Sequence, residues 1–210
     1  MVNTKMSKML KYLEDFPAHC EKAVQIAKRY RIDMKRYDSI HQVVVCGMGG
    51  SAAGGDLLKS YLQGEAKIPI DVNRGYLLPR YVGEKTLVFA VSYSGNTEET
   101  LCTYQDALSR SAKVIAITSG GKLKELCQKE GIDVIEIIGD MPPRATFGYL
   151  FFPMLTILER LGLIGSKEQE IGETIQSLQI LSKEYDPESK ANLAKEISER
   201  IKGHILLIYA

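Results

Sequence analysis

The chain has 210 residues, of which 45% are hydrophobic and 25% charged, and a formal net charge of +1. This is an ordinary globular balance, enough for one large domain or one domain and part of another, with no basic footprint for nucleic acid and no charged tail. The four cysteines, Cys20, Cys46, Cys102 and Cys127, form no C-x-x-C pair and no Cys/His cluster, which argues against a zinc site and for a reducing, cytoplasmic setting.

The first residues, "MVNTKMSKMLKYLEDF", contain no apolar signal core. Met6, Met9, Leu10 and Leu13, then Val24, Ala27 and Tyr30, repeat at helical spacing. Phe16-Pro17 divides this region into two helices, with Asp15 placed to cap the second and Pro17 in its first turn. Five apolar runs follow, the first of them continuously β-branched: "QVVVCG" (42–47), "IPIDVN" (68–73), "TLVFAVS" (86–92), "KVIAITS" (113–119) and "DVIEII" (133–138). Helical segments at 51–63, 96–110 and 121–130 lie between most of them. Continuous apolar strands alternating with amphipathic helices predict a parallel sheet covered on both faces, an α/β fold of the αβα sandwich type with five strands. Cys46 falls inside the first strand and reads as a small buried hydrophobe.

After residue 140 the pattern is helical, over 144–162, 167–184 and 187–202, with Pro187 suited to a first helical turn. The stretch "FGYLFFPMLTIL" is the longest apolar run. It is shorter than the about 20 residues a bilayer crossing needs and reads as a buried helix, so no membrane association is expected. The sequence closes on "GHILLIYA", where Ile205–Tyr209 has the composition of a buried strand. Either it pairs with the five-stranded sheet or it opens a second domain, and the second is preferred. The resulting division is 1–40 N-terminal helices, 41–160 the sheet domain, 161–203 a helical connection and 204–210 the first strand of a further domain.

In open parallel sheets, ligands bind beyond the carboxyl ends of the strands. Two loops there are unusual. "CGMGGSAAGGD" (46–56) places Gly47, Gly49, Gly50 and Ser51 at a helix start, where free N–H groups and the helix dipole favour an anion. It could be a plain glycine-rich turn, or a variant of the dinucleotide fingerprint. Against the latter, Asp71 lies mid-strand rather than at the end of the second strand. "SYSGNTEET" (92–100) offers hydroxyls at Ser92, Ser94 and Thr97 around Gly95. Asn96 or Thr97 as a cap, with Glu98 and Glu99 complementing the dipole, accounts for the helix start. It does not account for Ser92 and Ser94. Three hydroxyls without a nearby lysine suit one phosphate monoester, and no triphosphate loop of the G-x-x-x-x-G-K-[ST] kind occurs.

S-x-S-G-x-T after a strand resembles the phosphosugar-binding motif of sugar isomerase (SIS) domains. Together with "GMGGSAAGGD", "RGYLLP" (74–79) and "PPRATFGYL" (142–150), it is most similar to the bifunctional phosphoglucose/phosphomannose isomerases. The resemblance is clear over residues 40–160. It implies interconversion of glucose 6-phosphate or mannose 6-phosphate with fructose 6-phosphate through an enediolate, a homodimer, and no cofactor or metal. It also implies that Ser92, Ser94 and Thr97, with Gly50 and Ser51, hold the substrate, and that Arg144 stabilises the enediolate as a fixed, permanently charged guanidinium. The family's base sits in an N-E-N segment and its ring-opening histidine in an H-N-E segment. Neither occurs in these 210 residues, and no role passes to His19, His41 or His204. The resemblance therefore implies a substrate-holding half without a full catalytic set. A phosphosugar-sensing domain and a SIS enzyme acting on an amino or heptose phosphate are the alternatives.

Overall fold

The computed structural model describes residues 8–189 and 192–207. Five strands form one all-parallel sheet: β1 (Gln42–Cys46), β2 (Ile70–Asn73), β3 (Thr86–Val91), β4 (Lys113–Thr118) and β5 (Asp133–Glu136), in the order β2-β1-β3-β4-β5. All five expected strands are present, each within a few residues of its apolar run. The register pairs Val43 with Ile70 and Leu87, and Phe89 with Ile115, so alternate residues of neighbouring strands share one face.

Each face is buried, which is why the strands are apolar without alternation. On one face Val43, Val45, Leu87, Phe89, Ile115 and Ile117 pack under α2 (Phe16–Arg29), α3 (Gly49–Leu62) and α6 (Phe147–Arg160). On the other, Val44, Cys46, Val88, Ala90, Val114 and Ala116 meet α4 (Glu98–Ser109) and α5 (Gly121–Glu130). Phe89 and Leu87 have no exposed surface, and full burial of such side chains contributes about 1.5–3 kcal/mol each. Cys46 is indeed a core residue, and burial pushes its thiol up to about 12.

α6 is buried from Gly148 to Leu158 because α2 and α3 both pack against it. A helix apolar all round needs such double cover. The small residues of α3 make its close approach possible: a Cβ on Gly55 would lie 2.9 Å from Val45 Cγ1, and one on Gly54 3.1 Å from the Leu150 carbonyl. Part of the glycine-rich stretch after β1 is therefore a packing feature.

Four expectations at helix ends and the chain's last stretch need revision or limits. α1 (Lys8–Glu14) and α2 do meet at Asp15, with Pro17 in the first turn. The Asp15 carboxylate makes no cap bond, however, and instead accepts from Lys11 Nζ at 3.1 Å. α7 (Glu168–Glu184) is as expected, but α8 (Leu193–Ile201) starts six residues later than residue 187, because Asn192 supplies its cap by accepting from the Lys195 N–H at 2.9 Å. The last helix of the sheet domain begins at Phe147, and Arg144 sits just before it in a 3₁₀ turn, Pro143–Ala145. Ile205–Leu207 are exposed and belong to no strand, and the rest of that expected strand lies outside the described residues.

Candidate functional site

β1 has β2 on one side and β3 on the other, so the chain reverses its direction of travel across the sheet between β1 and β3. The carboxyl ends of those two strands form the crevice where doubly wound sheets bind ligands. The two loops singled out from the sequence, after Cys46 and after Val91, are the two walls of this crevice.

The β3 loop is internally braced. Ser92 is only 1% exposed. Its Oγ accepts from the Gly95 N–H at 3.1 Å and lies 2.8 Å from Thr97 Oγ1. With Ser92 donating in that pair, the Thr97 proton is left to turn outward. Ser94 is exposed, and its Oγ accepts from the Asn96 N–H at 3.2 Å, which leaves the Ser94 proton free. The three hydroxyls are thus unequal: Ser94 is exposed and Thr97 half-buried, and Ser92 is buried within the turn that carries them. Thr97 is the first residue before α4, whose opening amides have no carbonyl partner in their own helix. Donor hydroxyls and open amides converge at one helix start, an arrangement suited to a dianion.

The β4 loop closes against this one. Ser119 donates its N–H at 3.0 Å and its hydroxyl at 2.7 Å to the Tyr93 carbonyl. The Leu123 N–H donates to the Gly95 carbonyl at 2.9 Å, and the Lys122 N–H to Asn96 Oδ1 at 3.0 Å. Gly95 and Gly121 have φ of +70° and +68°, and a Cβ on either would collide with the opposite loop. Only glycine permits both the backbone conformation and the approach.

On the β1 side, Ser51 is 7% exposed in the first turn of α3, and Gly50 is exposed beside it. A Cβ on Gly50 would lie 3.9 Å from the Pro143 carbonyl. The Pro143–Ala145 turn therefore borders the glycine-rich loop, and Arg144 is exposed there with no ion pair among the described residues. The nucleotide alternative loses ground, because Asp71 is held by Lys59 Nζ at 2.8 Å and by the Tyr81 hydroxyl at 2.7 Å.

Residues 37–136 match the SIS domain family. This chain is a SIS-domain protein. It is 46% identical, over 96% of its length, to a bifunctional phosphoglucose/phosphomannose isomerase from Caldicellulosiruptor bescii, of which it covers 60%. It is 36% identical, over 80% of its length, to another of that name from Aquifex aeolicus, of which it covers 49%. The chain thus spans about half to three fifths of the length of these relatives. Among solved structures, a Clostridium difficile protein provisionally described as a phosphosugar isomerase superposes with a TM-score of 0.70 at 19% identity, covering 94% of this chain and 57% of that one. At that identity the likeness is one of fold.

The SIS domain also makes contacts that the sequence patterns did not assign. Tyr93 reaches past the crevice and its hydroxyl accepts from the Met141 N–H at 2.9 Å, tying the segment before Arg144 to the β3 loop. Tyr76, after β2, brings its hydroxyl 3.5 Å from Glu98 Oε2, and the Glu99 carboxylate, partial desolvation and Glu98 hold its phenol above the ordinary range. Arg74 pairs with Asp56 of α3. Thr118–Lys122 supplies the second loop. Its signal, two glycines after a strand, looks like any tight turn. Among the described residues there is no cluster of three or more metal-binding side chains, and no helix long and apolar enough to cross a membrane.

Proposed function

We propose that this SIS domain binds hexose 6-phosphates and forms the substrate-holding half of an aldose–ketose isomerase acting on glucose 6-phosphate or mannose 6-phosphate and fructose 6-phosphate. The observation that supports it most is the convergence of Ser94, Thr97 and the open amides of α4 at the crevice between β1 and β3. The isomerase names of both relatives favour this reading over a phosphosugar sensor.

In this reading the phosphate rests on the α4 amides, with Ser94 and Thr97 donating and Ser92 bracing them. Gly50 and Ser51 lie alongside the sugar. Anchoring the remote phosphate orients C1 and C2. Arg144, exposed and unpaired, stabilises charge developing on the enediolate oxygen without losing its own proton. Moving the proton between C1 and C2 takes a base, and opening the ring takes an acid. The nearby carboxylates are poor candidates, since Asp56 is paired with Arg74 and Glu98 lies against Tyr76. Neither role is assigned within residues 1–210. A homodimer in a reducing cytoplasm completes the proposal.

Titration calorimetry with fructose 6-phosphate and with unphosphorylated fructose tests it. The 210-residue chain should bind the ester, not bind fructose measurably, and show no turnover in a coupled isomerase assay. Equal affinity for fructose, or no binding of the ester, would overturn the reading. Steady turnover by the pure chain would refute the missing-base part.

A further inference from the structure

Asn96 stands one residue before the α4 cap, yet its side chain serves another helix. Its Oδ1 accepts from the Lys122 N–H, 26 residues away in the first turn of α5. Beside it the Gly95 carbonyl takes the Leu123 N–H. These two bonds satisfy two of the four amides that any helix start leaves open. We propose that Asn96 is a positioning residue for the phosphosugar site: by capping α5 it holds Ser94 and Thr97 in register with the first amides of α4.

The inference rests on the phosphosugar reading above and adds to it a part no motif assigned. Asn96 is exposed, so its side chain contributes little by burial. What it has is connectivity. Its own N–H donates to Ser94 Oγ at 3.2 Å, and the residue after it is Thr97. One side chain therefore anchors the peptide whose N–H orients one donor hydroxyl and whose carbonyl side leads into the other. Gly95 and Gly121 bring the two loops close enough for the bond. Without it, the Gly95 carbonyl makes the one remaining hydrogen bond between residues 94–97 and α5 among the described residues. Closing α5 with neutral carbonyl groups also leaves α4 as the open helix start of the pair.

The test compares Asn96→Ala with Asn192→Ala, which deletes a cap of the same kind at α8. Both variants of the 210-residue chain are titrated with fructose 6-phosphate. Asn96→Ala should weaken binding about tenfold, roughly the loss of one hydrogen bond to a charged group. Asn192→Ala should leave affinity unchanged while lowering Tm by a comparable amount. Wild-type affinity in Asn96→Ala would overturn the proposal. A second readout needs no variant: because coupling between sites is reciprocal, saturation with fructose 6-phosphate should slow hydrogen exchange at the Lys122 amide. An unchanged rate would overturn the proposal as well. A wild-type chain that fails to bind fructose 6-phosphate would remove the phosphosugar reading itself, whereas binding that is indifferent to Asn96 removes only this role.

Discussion

α4 and α5 start side by side at the carboxyl end of the sheet, after adjacent parallel strands, and their beginnings are opposites. The α4 start is preceded by the Ser94 and Thr97 hydroxyls, and its first turn carries Glu98 and Glu99. The α5 start has no acid in its first turn, and two of its amides are consumed by Gly95 and Asn96 of the other loop. A helix N-terminus is an anion site only while its amides stay open. The difference teaches that the β3 loop does two jobs: it keeps one helix start open for a ligand by using itself to close the other.

The comparison can be broken most severely at the contact between the loops. Gly95→Ala places a Cβ against the Gly120 carbonyl at a φ of +70°. The expected cost is about 3 kcal/mol or more, read as a fall in the urea midpoint, with fructose 6-phosphate binding abolished. A variant of wild-type stability would show that the loops are not held together as described.

Thr97→Ala and Thr118→Ala sharpen the asymmetry. Thr97 is half-buried at the start of α4, whereas the Thr118 hydroxyl donates to the Gly120 carbonyl at 2.8 Å. Thr97→Ala should weaken binding of the ester by about ten- to a hundredfold. Thr118→Ala should cost about 1 kcal/mol of stability and change affinity little. Equal effects on affinity would mean that both loops hold the phosphate.

Glu98→Gln probes the charge at the open helix start and should act in two directions. Removing a carboxylate from the first turn of α4 costs about 0.3–1 kcal/mol of helix stability. Removing a like charge beside the bound phosphate should tighten binding by roughly twofold at low salt, an advantage that fades as ionic strength rises. Weaker binding in Glu98→Gln would instead place Glu98 among the groups that hold the sugar. The smallest expected change lies away from both loops. Gly172 is inside α7 with open space where a Cβ would stand, so Gly172→Ala should stabilise by about 0.5–1 kcal/mol and leave affinity untouched.

The strands were legible because burial on both faces writes itself as uninterrupted apolar runs, such as Val43–Val45 and Leu87–Val91. The hydroxyl cluster was legible because Ser92 and Ser94 exceed what a cap requires. Roles within the cluster were not. That Ser92 is buried while Ser94 and Thr97 keep exposed surface depends on which way one turn folds, and three similar residue letters do not encode it. The bond from Asn96 to Lys122 joins residues 26 apart through the sheet's pairing of β3 with β4, and no local pattern reports a tertiary cap. The Asp15 cap failed for a related reason: Lys11, one turn earlier, competes for the carboxylate. The late start of α8 followed from Asn192, whose capping bond outweighed the helix-start signal of Pro187.

The phosphate should sit at the α4 start and not at α5, and a crystal structure of the chain with fructose 6-phosphate would test this most directly. The expected result is a phosphate over the amides of residues 97–99, within hydrogen-bond reach of the Ser94 and Thr97 hydroxyls, with the Lys122–Asn96 bond intact. A phosphate seated on the first turn of α5, with Asn96 displaced from Lys122, would contradict it.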